Sequence, residues 1–145
     1  MPSLFPAMLV ALVAGMAIAV QSLFSGMIGS RVGAAESSFI VHLGGFMLSG
    51  VVLLLIRGGA ISQWHTVPWY ALTAGFLGVV IVASVSFAVP RLGLAPTLTL
   101  AIVAQLLLGA LLDHFGWLGA SPRPLDVFRI IGLASVAGGT WLVVR

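Results

Sequence analysis

Residues 90–116 read PRLGLAPTLTLAIVAQLLLGALLDHFG, and this stretch decides the fold. From Leu94 to Leu112 there are 19 residues without a formal charge, close to the roughly 20 that an α-helix needs to cross about 30 Å of hydrocarbon. Gln105 lies near the middle of that span. An amide at this depth has no bulk water to satisfy it, so it must face protein or a wet cavity. The stretch predicts a membrane helix with a deep polar group.

Four further apolar stretches accompany this one. The chain has 145 residues, of which 61% are hydrophobic and 6% charged, and its mean hydropathy is +1.24. Such a composition is typical of an integral membrane protein. We predict an all-α protein of one domain, residues 1–145, with five transmembrane helices and short connections. The predicted spans cover residues 4–28, 38–56, 69–89, 94–114 and 127–144.

Two short motifs mark expected helix ends. Glu36, Ser37 and Ser38 have side chains that can cap the exposed amides at the start of the second span. Residues 90–93, PRLG, predict a tight turn before the fourth span, because proline and glycine both interrupt helices.

The first span admits a second interpretation. Ala17-Ile18-Ala19 resembles the small-residue site at which signal peptides are cleaved. However, residues 1–6 contain no Lys or Arg, and the apolar run continues to Ile28. We therefore favour a retained transmembrane helix.

The composition excludes several kinds of site. The chain has no cysteine, which rules out disulfides, thiolate catalysis and cysteine-bound zinc. Its three histidines and three acids are scattered, without an HExxH or GxSxG motif or a phosphate-binding glycine loop. We therefore expect no enzyme, no cofactor and no metal site. The six basic residues are dispersed arginines, so we expect no nucleic acid to bind.

The arginines bear on topology. Because five spans are odd in number, the two termini lie on opposite sides of the bilayer. One side has Arg57, Arg123 and Arg129, and the other has Arg31, Arg91 and Arg145. Three against three leaves the positive-inside rule without a bias. We expect insertion in both orientations and an antiparallel homodimer of ten helices, with the inverted symmetry of secondary transporters. The alternative is a chance lack of bias, with a partner fixing the orientation.

Polar side chains within the spans are the candidate substrate contacts. They are Gln21, Ser25, His42, Ser86, Gln105 and Asp113. Gln21 and His42 lie at similar depths and are expected to face each other, and in an antiparallel dimer the partner's Asp113 would reach their level. Imidazole is also the side chain that changes charge near neutral pH. A neutral, amphipathic or weakly cationic organic solute fits these groups, because a strongly ionic one would need a fixed charged partner.

Each candidate also has a structural interpretation. Gln105 or His42 could hydrogen-bond a neighbouring helix, and Asp113 could pair with an arginine near the end of its helix. Small residues favour close helix packing, and we select Gly45, Gly75, Gly78, Gly109 and Gly138. The chain could accordingly be a non-transporting subunit that packs against a larger membrane protein. A transporter needs Gln21 and Gln105 to be accessible, whereas a packing subunit needs both amides buried and paired.

Several short motifs are similar to one known family. They are residues 21–23 (QSL), 38–39 (SF), 91–95 (RLGLA), 104–106 (AQL), 112–116 (LDHFG) and 129–132 (RIIG). Together, over nearly the whole chain, they resemble the YdcZ-like five-span family of the drug/metabolite transporter superfamily. The resemblance implies a multi-pass transporter of the bacterial inner membrane, occurring as dual-topology homodimers, oppositely oriented pairs or fused ten-span chains.

We accordingly predict an exporter of a small organic solute that works by alternating access as a dual-topology homodimer in the lipid bilayer. One position departs from the family pattern, which often has Asn four residues after the glutamine of the first span. This chain has Ser25 there, and a hydroxyl lacks the reach of an amide, so its substrate preference is expected to differ. The first span also lacks the embedded Glu of the related four-span multidrug transporters.

Overall fold

A computed structural model describes residues 4–145, so that residues 1–3 of the predicted domain lie outside the described part. It contains five long α-helices, α1 (Phe5–Val32), α2 (Ala34–Leu55), α3 (Ala74–Leu92), α4 (Leu94–Phe115) and α5 (Val127–Val144). Short 3-10 helices occupy Ile61–Thr66, Ala71–Thr73 and Trp117–Gly119. Four of these helices, α1, α2, α4 and α5, are each long and apolar enough to cross a membrane. So is α3 together with the 3-10 turn before it. The prediction of five helical spans is confirmed.

Backbone contacts group the helices into two units. The first ends at Arg91 and holds α1, α2 and nearly all of α3, and the second runs from Leu92 to Arg145. Within the first unit α1 packs on α2, and within the second α4 packs on α5. That the two units form a single domain stays a prediction.

Single glycines separate two pairs of consecutive helices. Gly33, between α1 and α2, has φ 112° and ψ 155°, and Gly93, between α3 and α4, has φ 90° and ψ 163°. This backbone region is essentially restricted to glycine. The flanking sequences also repeat, as RVGAAES at residues 31–37 and RLGLAPT at residues 91–97. In both copies the backbone N–H of the final residue donates to the carbonyl of the glycine, over 3.0 Å and 3.3 Å. The same turn is built twice.

The expected tight turn at residues 90–93 is wrong in its extent, because α3 continues through Pro90 and only Gly93 is non-helical. Pro90 has no N–H to donate to the carbonyl of Ser86, four residues earlier. That carbonyl faces α1 instead, since a Cβ built on Gly29 would lie 2.7 Å from its oxygen. A membrane helix tolerates an internal proline when a neighbouring helix covers the freed carbonyl. The Cα–H group of Gly29 can act as a weak hydrogen-bond donor to the Ser86 carbonyl.

The second span begins earlier than expected. α2 starts at Ala34, and no side chain hydrogen-bonds to the exposed amides at its first turn. The expected caps Ser37 and Ser38 are buried. Because Gly33 alone links α1 to α2, the two serines lie where the helices meet, and they bond to other helices instead of capping their own. The capping prediction is therefore wrong.

The buried residues of the described chain are almost all small. They are Ser22, Ser25, Gly26, Ser37, Ser38, Ser86, Thr97 and Thr140. Val89 is the one larger apolar side chain among residues 4–145 that is buried. Most leucines, isoleucines and phenylalanines lie on the outside of the helices. This arrangement suits a bilayer, where lipid is as apolar as a protein core and small residues let backbones approach.

α1 and α3 approach each other at two glycines of α1. A Cβ on Gly26 would lie 2.6 Å from Cγ1 of Val89, and one on Gly29 would meet the Ser86 carbonyl described above. Of the glycines that the sequence analysis selected, Gly78 meets a side chain, that of His42. The Cβ positions of the others meet no heavy atom within 4 Å among residues 4–145, and these are Gly45, Gly75, Gly109 and Gly138. Packing of those four against another chain stays a prediction.

We expect Gly29→Ala to destabilise the protein by about 1–3 kcal/mol, the usual cost of overpacking. The new methyl group would meet a backbone carbonyl, which cannot rotate away as a flexible side chain can. Gly15→Ala is the matched control on the same helix, because nothing lies within 4 Å of its Cβ position. Alanine there should be neutral or stabilising by up to about 1 kcal/mol. Reversible unfolding in detergent measures both variants, and equal free energies of unfolding would contradict the close contact.

Candidate functional site

The predicted site residues fall into three places. Gln105 and Asp113 line a groove between α4 and α5, and Gln21 lines a groove between α1 and α2. The remaining three, Ser25, His42 and Ser86, lie where α1, α2 and α3 meet.

The groove between α4 and α5 has a volume of about 470 Å³, within the range of roughly 300–1,000 Å³ usual for small-molecule sites. Its walls include Gly109 and Gly132, which leave space because they carry no side chain. Gln105 is exposed in this groove. Its amide makes no hydrogen bond with another residue in the range 4–145.

One ion pair lies in the same groove, at the end of α4. Nη1 of Arg129 is 4.0 Å from Oδ2 of Asp113, and the two side chains are 37% and 44% exposed. The Arg129 guanidinium also donates to the carbonyl of Arg123 over 3.3 Å, and the N–H of Arg123 donates to the carbonyl of Asp113 over 2.7 Å. These contacts support the structural interpretation, in which Asp113 ties the loop to α4. A pair this exposed contributes at most about 1 kcal/mol, so its carboxylate can exchange partners.

The groove between α1 and α2 is larger, with a volume of about 720 Å³ and mostly apolar walls. Gln21 is exposed in it, and Gly44 and Gly45 form part of the opposite wall. His42 is not among the lining residues. The structure does not bring Gln21 and His42 face to face, because the imidazole lies on the side of α2 that contacts α3.

Three buried serines connect the three helices of the first unit, and we call them the serine cluster: Ser25 on α1, Ser37 on α2 and Ser86 on α3. Oγ of Ser37 donates to the carbonyl of Ser25 over 2.9 Å, and Oγ of Ser86 donates to Oγ of Ser37 over 2.8 Å. None of the three is more than 1% exposed. Ser25 and Ser86, which we predicted as substrate contacts, are thus covered by protein in this structure.

His42 joins α2 to α3 beside this cluster. Its Nδ1 lies 2.7 Å from the carbonyl oxygen of Ser38, one turn earlier in α2. Oγ of Ser38 in turn donates to the carbonyl of Val79 on α3 over 3.0 Å. On the other side of the ring, a Cβ built on Gly78 would lie 3.0 Å from Nε2. These contacts support the structural interpretation of His42, and a side chain at position 78 would crowd the ring.

A comparison with protein families identifies the chain. The model of a family described as "Putative inner membrane exporter, YdcZ" matches residues 6–142. The chain belongs to the YdcZ family. The resemblance predicted from short motifs is confirmed, and with it a multi-pass location in the inner membrane. No curated protein and no solved structure matches the chain.

Two polar groups of this YdcZ protein serve the connection into α5. Asp126 is the N-cap of α5, and its Oδ1 accepts a hydrogen bond from the N–H of Arg129 over 2.8 Å. Nδ1 of His114 accepts a hydrogen bond from the N–H of Leu125 over 3.1 Å. Within residues 4–145 there is no group of three or more His, Cys, Asp or Glu that could hold a metal ion.

The sequence analysis missed the residues that hold the first unit together. Ser22, Ser25, Gly26 and Gly29 fall at positions i, i+3, i+4 and i+7 of α1, which is one face of a helix. This spacing was a usable signal for a packing face. Ser37 was assigned to a cap, and its true role depends on α1 and α3, which no local pattern identifies.

We expect Ser37 and Ser86 of this YdcZ-family protein to be energetically coupled. In a double-mutant cycle with alanine at each position, the coupling free energy of unfolding should be about 0.6 kcal/mol, the mean for interhelical hydrogen bonds in a membrane protein. Ser49→Ala replaces Ser37→Ala in the control cycle, because Ser49 is exposed and bonds its own helix at the carbonyl of Phe46. That control should show no coupling to Ser86. A value of zero for the first cycle would mean that the buried bond adds nothing to stability.

Proposed function

We propose that this protein exports a small organic solute by alternating access, as an antiparallel, dual-topology homodimer. The accessibility of two amides carries the proposal. Gln21 and Gln105 lie within spans, line grooves and are exposed. A subunit that served only to pack against another protein would have these amides buried and paired, since an unpaired amide in hydrocarbon is costly. The two grooves therefore favour transport over the packing role.

The arginines support an antiparallel pair. Arg31 and Arg91 occupy the last turns of α1 and α3, and Arg145 ends the chain after α5. Three other arginines lie on the opposite side of a five-span topology. The two sides therefore carry equal positive charge, and neither is favoured as the cytoplasmic side. Two copies in opposite orientations have the inverted symmetry on which secondary transporters are built.

The proposed substrate site combines residues of both subunits. Gln21 of one subunit would meet Gln105 and the partner's Asp113, because antiparallel insertion brings the end of α4 to the level of the first-span amide. Ser25, His42 and Ser86 would reach the solute only in a second state, in which α1, α2 and α3 have moved apart. The burial of Ser25 and Ser86 in the present conformation is consistent with a site that is alternately covered and opened.

The solute class follows from the charges in the grooves. The Asp113 carboxylate is balanced by Arg129 at 4.0 Å, and the remaining walls are mainly apolar. A strongly ionic solute would find no free fixed charge to offset its desolvation. A neutral or amphipathic compound would bind to the amides. A weakly cationic compound could also take the place of the exposed Arg129 beside Asp113.

Orientation of the C-terminus tests the dimer. Reporters that are active only in the cytoplasm or only outside it, fused after Arg145, should give comparable signals. The double variant Arg31→Gln, Arg91→Gln leaves three arginines on one side against one on the other. By the positive-inside rule it should place the N-terminal side in the cytoplasm, so that only the external reporter stays active. A single active reporter for the unaltered chain would break the dual-topology model and favour a fixed partner.

Loss of the deep amide should lower export without lowering stability. Once a growth screen of neutral and weakly cationic compounds has identified a transported solute, we expect Gln105→Leu to reduce its efflux by about tenfold, equivalent to about 1.4 kcal/mol. Gln63→Leu is the control, because Gln63 lies in an exposed 3-10 helix outside the long helices. Efflux and thermal unfolding are measured for both variants. Unchanged efflux in Gln105→Leu would remove this amide from the site.

A further inference from the structure

The groove between α4 and α5 is polar at two levels and apolar between them. Asp113 and Arg129 line it where α4 ends and α5 begins, and Gln105 is exposed deeper within it. Gln105, Gly109 and Asp113 follow one another at intervals of four residues, so they share one face of α4. The amide and the carboxylate are about 12 Å apart along the helix axis. The groove therefore offers a charged end, an apolar middle and a deep amide.

The two charges at the end of the groove hold each other loosely. Oδ2 of Asp113 is 4.0 Å from Nη1 of Arg129, whereas a charge-assisted hydrogen bond measures about 2.7–2.9 Å. The guanidinium has several N–H donors, and one of them bonds to the carbonyl of Arg123. Both side chains are more than a third exposed. A ligand can therefore bond to the carboxylate and to the guanidinium without first breaking a strong ion pair.

The balance of charge decides which ligand fits best. Asp113 and Arg129 are the charged residues among those that line this groove in the described chain, so its fixed charges sum to zero. A cation beside the carboxylate would displace the guanidinium and leave it without a counter-charge, and an anion beside the guanidinium would do the same to the carboxylate. A ligand that carries both charges satisfies both side chains. The pair therefore favours a zwitterion over either ion.

We propose that this end of the groove binds a zwitterionic head group, with an ammonium and a carboxylate on neighbouring atoms as in a free α-amino acid. The ammonium donates to the Asp113 carboxylate, and the ligand carboxylate accepts from the Arg129 guanidinium. The apolar part of the ligand extends along Gly109 and Gly132, which leave space because they carry no side chain. Transport of this ligand, though not its binding, rests on the export function proposed above.

The deep amide favours a small solute over a lipid as the source of that head group. A zwitterionic phospholipid carries similar charges, but its acyl chains continue through about 15 Å of hydrocarbon, half the thickness of the bilayer core. Such a chain would run past Gln105 and leave the amide against hydrocarbon, which is costly. A solute with a short apolar side chain ends before that depth and leaves the amide to water in the groove. The ligand is therefore an amino acid with an apolar side chain.

Three compounds with the same apolar chain test the charge preference: norleucine is a zwitterion, norleucinamide a cation and N-acetylnorleucine an anion. At about pH 6 their amino groups are protonated and their carboxyl groups ionised. Equilibrium dialysis of each labelled compound uses the full-length protein in nanodiscs of phosphatidylglycerol, which has no ammonium. Norleucine should bind at least about tenfold more tightly than the other two, because each of them lacks one charge-assisted contact. Equal binding of norleucinamide, or no saturable binding of norleucine, would overturn the proposal.

Two variants should exchange this preference in opposite directions. Arg129→Gln leaves the Asp113 carboxylate without a counter-charge, so norleucinamide should become the tightest ligand. Asp113→Asn leaves the guanidinium alone, so N-acetylnorleucine should. Arg123→Gln is the control, because it removes the same charge from a side chain outside the groove, and it should still prefer norleucine. An ion pair with a structural role alone would lower stability in both variants without exchanging the preference, and that result would overturn the proposal.

A second pair of variants locates the apolar part of the ligand without touching the charges. Gly132→Leu fills the groove, and the new side chain is tolerated because nothing lies within 4 Å of the Cβ position. It should weaken norleucine binding by about tenfold or more. Gly139→Leu is the matched control on α5, since its Cβ position is equally open and lies outside the groove. Equal affinity in the two variants would mean that norleucine binds elsewhere.

A change of lipid separates the solute from a lipid head group. Norleucine binding should persist when phosphatidylethanolamine, which is zwitterionic, is added to the nanodiscs. Loss of binding would assign the site to that lipid and overturn the proposal. Dialysis requires neither transport nor a defined orientation. A protein that binds norleucine but exports no solute would refute the function proposed above and leave this site standing, whereas export without norleucine binding would refute this site alone.

Discussion

In a bilayer an apolar side chain gains little by leaving lipid for a neighbouring helix, so the helices of the first unit depend on close backbone approach and on hydroxyl groups. Gly26 and Gly29 bring α1 against α3, near enough for Gly29 to cover the carbonyl that Pro90 leaves without a donor. That approach in turn places Ser86 within hydrogen-bonding distance of Ser37. The large apolar residues remain outside, where lipid solvates them.

The same constraint explains which predictions succeed. The number of spans follows from the thickness of the bilayer, which any sequence must match with about 20 apolar residues per helix. The packing face does not follow in this way, because Gly45 and Gly75 look as suitable for packing as Gly26 and Gly29 when the neighbouring helix is unknown. Pro90 shows the same limit: its local preference for a turn is overridden by a carbonyl contact with another helix. The sequence predicts that Gln21 and Gln105 lie deep within their spans. Whether their amides are exposed depends on how the helices pack, which the sequence does not show.

A contact made of small residues and a few hydroxyl bonds is well suited to opening. Interhelical hydrogen bonds in membranes contribute about 0.6 kcal/mol each on average, so the bonds that join α3 to α2 through Ser38 and Ser86 are a modest barrier. A protein that alternates between two states needs them to differ by only a few kcal/mol. A tightly interlocked apolar core would hold one state too firmly, whereas a contact of this kind leaves two states closer in free energy.

The repeated glycine turn makes different contacts in its two copies. Ser37 and Thr97 occupy equivalent positions after Gly33 and Gly93, yet only Ser37 bonds to other helices. Thr97 directs its hydroxyl back to the carbonyl of Gly93, over 2.8 Å. The first copy of the turn therefore supports a polar contact between helices, and the second copy leads into α4, the helix that carries Gln105. The first unit therefore holds both the serine cluster and the groove with Gln21, whereas the second holds the groove with Gln105 and Asp113.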